Sequence, residues 1–196
     1  MRRTTFDALL TVAGLGLAVI LLVAGGLLMW GYTFTNGQVH DQLVSQKIFF
    51  PAHGSTSLTE LPAADRAAME PYAGQQMVDG KQAEVYANHY IAVHLGKIGG
   101  GQTYSQLSAQ ALKQPNNAKL AGQVDTMFRG TTLRGMLLNA YAFWQIGQIA
   151  LIGAIVSFAG AALMLVLSGL GIWHLRRTTP EAEVFAGLGT HAKTPA

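Results

Sequence analysis

Residues Gly135 to Leu175 read GMLLNAYAFWQIGQIALIGAIVSFAGAALMLVLSGLGIWHL, 41 residues without an Asp, Glu, Lys or Arg. A bilayer's hydrocarbon core is about 30 Å thick and takes roughly 20 helical residues to cross. The apolar centre of this stretch, Ile149 to Trp173, is long enough alone. Tyr141 and Trp144 precede it and Trp173 closes it, as an aromatic belt at each interface would require. From Trp144 to Trp173 an α-helix rises about 44 Å, close to a bilayer with its headgroups.

A second uncharged block lies at the other end of the chain. Residues 8–40 hold no charged side chain, and their apolar run is LLTVAGLGLAVILLVAGGLLMW, Leu9 to Trp30. Trp30, Tyr32 and Phe34 follow as the interfacial aromatics. The chain has 196 residues, of which 12% are charged, against about a quarter in a soluble domain. The deficit belongs to the two blocks, because the other residues carry every charge. A single soluble globule, a disordered chain and a collagen-like fibre are excluded.

The flanks set the orientation. Arg2 and Arg3 precede the first run, and Arg176 and Arg177 follow the second. Positive charge close to a span stays cytoplasmic. Both termini are expected inside, with a cell-membrane location. The predicted order is a cytoplasmic segment 1–7, a transmembrane helix 8–32, an extracytoplasmic domain and stalk 33–140, a second transmembrane helix with its outer interfacial turn 141–175, and a disordered cytoplasmic tail 176–196. The first span is expected to remain as an anchor. It is longer than a signal-peptide core, and no A-x-A site follows it. No cysteine is present, which removes disulfides and thiolate metal sites. No basic patch interleaved with aromatics exists, so nucleic acid is not an expected partner.

The fold class is therefore mainly α, with two membrane helices flanking a small, mostly helical domain. Val39, Leu43 and Val44 keep helical spacing beyond the first span. KIFFP, Lys47 to Pro51, reads as extended, and residues 52–59 as loop. A short helix is expected over Pro62 to Met69. Asp79 and Gln82 form a capping-box-like start. Ala83, Tyr86, Tyr90 and Val93 share the face of the helix that follows, with Gly96 and Gly99-Gly100-Gly101 as terminators. Thr103 and Gln106 start another helix, and Pro115-Asn116-Asn117 ends it. From Ala118 the pattern predicts one helix, about 90 Å long, running through the second span despite Gly122, Gly130 and Gly135.

Candidate chemistry is sparse. His89 and His94 share a helix, but a spacing of five sets their rings about 140° apart on an α-helix, against four in H-E-x-x-H. The expected reading is one packed among Tyr86 and Tyr90 and one exposed. His40 and His53 fall in separate regions, and a metal site built from His40, His53, His89 or His94 is the weakest of the candidates. His174 sits beside Trp173 at the inner interface, where amphipathic side chains snorkel. No activated serine, paired carboxylates or phosphate loop is visible, and neither a catalytic residue nor a cofactor is assigned.

The apolar helices are more informative. Gly14 and Ala18, then Gly25 and Gly26, and Gly153, Ser157 and Ala161 make small-residue stripes that let helices approach closely. They serve either to pack the spans on each other or to seat other membrane proteins or a second copy. Gln145 and Gln148 lie one turn apart near the outer interface and suit either headgroups or a helix-to-helix hydrogen bond. Tyr86, Tyr90, Phe128, Tyr141 and Trp144 are candidates, with those glutamines, for an apolar ligand or partner surface.

The stretch KQAEVYANHYIAVHLGKIGGGQTYSQL, with FRGTTLRG and the terminal apolar span, resembles a family of small two-span membrane proteins of high-GC Gram-positive bacteria. The shared segment G-G-x-T-Y-x-x-L is here Gly100 to Leu107, and the resemblance covers Val78 to Arg177 and the first span. It implies the two-span architecture. Some members carry a label as aromatic ring-opening dioxygenases. That chemistry requires two His and a carboxylate on iron, a set not apparent in this sequence. The expected function is that of a structural or accessory membrane protein, docked by its small-residue faces and its extracytoplasmic domain. A binding module for a lipid, quinone or other apolar ligand is the alternative, and a metal-dependent enzyme a more distant one.

Overall fold

The computed structural model of the chain describes residues 3–177. The tail expected to be disordered, Thr178 to Ala196, lies outside them. The described residues are mainly helical. Helix α1 spans Arg3–Gln46 and α7 spans Ala118–Leu175, each unbroken. Between them lie α2 (Thr56–Thr59), α3 (Ala63–Met69), α4 (Gly80–Tyr86), a π-helical turn (Ala87–Ile91), α5 (Ala92–Gly99) and α6 (Tyr104–Lys113). Two helices, α1 and α7, are long and apolar enough to cross a membrane, and in each the most apolar window is only 11% buried inside the protein. The core helix of a soluble protein would be mostly buried; a helix apolar all round and left open suits lipid.

The described residues form two units. The first contains α1 up to Gly31 and α7 from Ala150. Its two helices run antiparallel: Thr11 meets Gly171, Gly14 meets Ser168, Leu21 meets Gly160, Gly25 meets the Phe158 ring and Leu28 meets Gly153. Glycine matters because the space a Cβ would need is already filled, at 2.5 Å from Ser168 Oγ for Gly14 and 2.8 Å from Phe158 for Gly25. Ala18, Ala154 and Ala161 are fully buried in the same seam. Five of the seven small residues marked in the sequence are thus in contact or buried within the pair. Gly26 faces open space, outside the contact between the two helices, and Ser157 is half-buried. Gly160, unmarked in the sequence, belongs to the seam. Val12, Leu27, Ile152 and Val166 point outward and are more than half exposed.

The second unit is Tyr32–Ile149. Its core gathers Val39 and Leu43 from α1, Leu137 from α7, and Phe50, Leu58, Met69, Met77, Ala83 and Ile91 from the segments between. Local signals explain most of the elements. Ile48 to Phe50 is extended and pairs with the chain around Gln76, with Phe50 N–H donating to Gln75 O and Met77 N–H to Ile48 O, both 2.9 Å. Asp79 caps α4 by accepting from Gln82 N–H at 2.8 Å, and the Gln82 side chain accepts from Val78 N–H at 2.6 Å. Thr103 and Gln106 form a full capping box for α6. Gly100 and Gly101 stop α5 with positive φ values of 56° and 80°, conformations that glycine adopts without a Cβ penalty.

Three expectations change. Residues 52–59 are not loop throughout, since Thr56–Thr59 forms a helical turn. Gly96 lies inside α5 and does not end it. The helix after Asp79 is not uniformly α but contains the π turn. That turn is held from α7, where Arg134 Nε donates to Ala87 O at 3.2 Å and a terminal nitrogen to Asn88 Oδ1 at 2.8 Å. Glycines also admit the close approaches to α7: Gly80 lies on Trp144 and Ala140 O, and Leu95 fills the space beside Gly130.

Candidate functional site

The histidines are dispersed. His40 Nδ1 donates to Val78 O at 3.0 Å, His53 Nδ1 lies 2.6 Å from Glu70 Oε1, and His89 Nδ1 lies 2.8 Å from Asp65 Oδ1. His94 Nδ1 donates to Tyr90 O at 2.8 Å, and its ring centroid lies 4.4 Å from that of Tyr90. Each ring thus has its own partner. Among the described residues no three or more His, Cys, Asp or Glu converge as a metal-binding group.

The aromatic candidates fall in three places. Tyr86 and Tyr90 pack at 4.9 Å with tilted rings, and Phe50 and His94 extend the row at either end. Burial, with the nearby Tyr90 adding to it, pushes the Tyr86 hydroxyl up to about 12. The row borders a cleft of about 480 Å³ whose far wall includes Asp125, Arg129 and Leu133. Asp125 and Arg129 pair there at 2.9 Å. Phe128 instead packs on Tyr104 at 5.6 Å, and Tyr141 stacks on Trp144 at 6.2 Å. The five rings do not form one pocket. Gln148 Nε2 donates to Asn36 Oδ1 at 3.2 Å, a helix-to-helix bond, while Gln145 is exposed.

A polar network supports the π turn. Lys81 Nζ donates to Glu84 Oε2 at 2.9 Å, and Asn88 Nδ2 donates to Glu84 Oε1 at 2.8 Å, next to Arg134. Burial pulls the Glu84 carboxyl upward, but the hydrogen bonds from Lys81 and Asn88 outweigh it and hold the group below its ordinary value. Lys81 is raised, chiefly by the same bond to Glu84.

Another cavity went unmarked in the sequence. It is a groove of about 510 Å³ within the Tyr32–Ile149 unit, between the end of α1 and the middle of α7. Phe34, Gln38, Gln42 and Gln46 form one wall, one residue per helical turn. Met136, Asn139 and Phe143 stand on the other, and Leu43 and Leu137 make its floor. Met136 and Phe143, two turns apart on α7, are 62% and 59% exposed, so this wall offers open apolar surface to the groove. None of the lining side chains is charged. The four-residue spacing of Phe34, Gln38, Gln42 and Gln46 was the available sequence signal; only α7 supplies the second wall.

Neither a family model, a curated protein nor a solved structure matches the chain.

Proposed function

We propose that this protein is an integral membrane accessory protein with two spans, akin to the small two-span proteins of high-GC Gram-positive bacteria. In this reading Arg3, Arg176 and Arg177 lie on the cytoplasmic side, and the Tyr32–Ile149 unit is extracytoplasmic. That unit contacts a membrane complex or an envelope component. The observation that carries the reading is the open apolar surface of α1 and α7, whose windows are 11% buried although the small-residue seam has already joined the two helices. The seam uses one stripe of each helix, and the remaining surface requires lipid or other membrane helices. The test is crosslinking in intact membranes, then affinity purification in mild detergent. The same partner should be recovered reproducibly; a lone monomer under all conditions rejects the reading.

A second reading, a binding module for an apolar ligand, is favoured by one specific observation. The groove between α1 and α7 is open, within the roughly 300–1,000 Å³ range of ligand sites.

A further inference from the structure

The groove between α1 and α7 is lined by side chains of two chemical kinds, interleaved on both helices. Gln38, Gln42 and Gln46 present carboxamides at successive turns of α1, and Asn139 presents a fourth from α7. Each can both donate and accept. Among the described residues none of these four side chains bonds another protein group. Phe34, Leu43, Met136 and Phe143 provide the apolar surface. No lining side chain is charged: Asp41 and the exposed Lys47, next in the chain to Gln42 and Gln46, are both outside the lining, and Arg134 is bound to Ala87 and Asn88.

We propose that this groove binds one uncharged amphipathic lipid. Its hydroxyl- or carbonyl-bearing head meets the glutamine and asparagine amides, and its hydrocarbon body lies on Phe34, Leu43, Met136 and Phe143. The proposal rests on the two-span reading, because the ligand comes from the outer leaflet: Phe34 belongs to the aromatic set that follows the first apolar run. Three features select this ligand. The carboxamides match neutral donors and acceptors. A phosphate head seated on the amides would lose hydration and meet no cation in the lining, a costly exchange for an unpaired charge. The concave shape fits a single narrow body, whereas a second copy would bring an identical hollow, leaving the amides unmet.

The test is native mass spectrometry of the full chain, released from detergent after incubation with a monoacylglycerol, a short-chain benzoquinone or phosphatidylglycerol. The expected result is one-to-one retention of the monoacylglycerol, the quinone or both, and little phosphatidylglycerol. Retention of only the first assigns a hydroxyl-headed ligand, and of only the second a carbonyl-headed one. Gln42 is exposed, so Gln42→Trp fills the groove without entering the core. It should weaken retention at least tenfold with an unchanged melting temperature, and Gln38→Leu/Gln42→Leu should do so by removing the amides. Equal binding of phosphatidylglycerol, or undiminished retention by Gln42→Trp, overturns the proposal. So does a lipid-free dimer that Gln42→Trp dissociates, which would give the groove to a second copy. Failure of the two-span reading shows separately, as release of the chain from membranes by alkaline carbonate.

Discussion

Individual glycines in this chain have different consequences, and the space around each decides them. A Cβ at Gly80 would overlap the Trp144 side chain and approach Ala140 O to 3.1 Å. Neither backbone nor indole can give way cheaply, so Gly80→Ala should cost about 1–3 kcal/mol, the usual range for overpacking. Thermal unfolding in detergent would measure it, with Gly26→Ala, which meets open space, as the near-neutral reference. Tyr86 makes a separate prediction about pH. Its ordinary value is 10.0 and its folded value about 12, so the folded protein holds this proton more tightly than the unfolded chain. Stability is then intact below pH 10 and falls as pH rises from 10 through 12. Lys81, raised from 10.5, adds to the same alkaline loss. Tyr86→Phe should flatten the decline over that window but leave the part due to Lys81; an unchanged profile would contradict the assignment. Glu84 acts at the other end. Held below its ordinary 4.5, it contributes stability above that value and loses it as pH falls further.

Helix boundaries were legible in the sequence where they depend on near neighbours. Asp79 with Gln82, and Thr103 with Gln106, cap through residues three apart, and Gly100 and Gly101 stop α5 locally. The π turn was not legible, because its partner Arg134 lies 47 residues from Ala87. The groove was hidden for the same reason: one helix reveals only half of it. Arg134 should therefore control the π turn more than any residue inside it. Arg134→Ala removes two hydrogen bonds from a charged donor, each worth about 1.5–3 kcal/mol in general. Because the group is only half-buried, the lower part of that range applies. Hydrogen exchange should show lost protection concentrated over residues 84–92, with α6 unchanged. Arg134→Lys keeps the charge but not the planar fork and should restore only part of it. Uniform loss across the Tyr32–Ile149 unit would instead make Arg134 a general packing residue.

At the scale of the whole molecule, charge and apolar surface give the same division of the chain. The uncharged stretches 8–40 and 135–175 contain the windows left open in α1 and α7, and the charged residues between them belong largely to the compact Tyr32–Ile149 unit. Helices of this length and composition could cross a bilayer, whose lipid would cover those windows, because their backbone groups are paired internally. Orientation then depends on few residues. Arg2, Arg3, Arg176 and Arg177 flank the windows, whereas charges in a long intervening segment have little weight. A phosphatase inserted at Gly54, an exposed turn with φ 68°, should be active outside the cell. A fluorescent protein fused after Ala196 should fluoresce inside. Replacing all four arginines with glutamine removes the orienting charge without altering the apolar windows. It should convert a single orientation into a mixture, with reduced phosphatase activity and partial loss of fluorescence. A chain that keeps one orientation without those arginines would show that the folded Tyr32–Ile149 unit, and not the flanking charge, determines its side of the membrane.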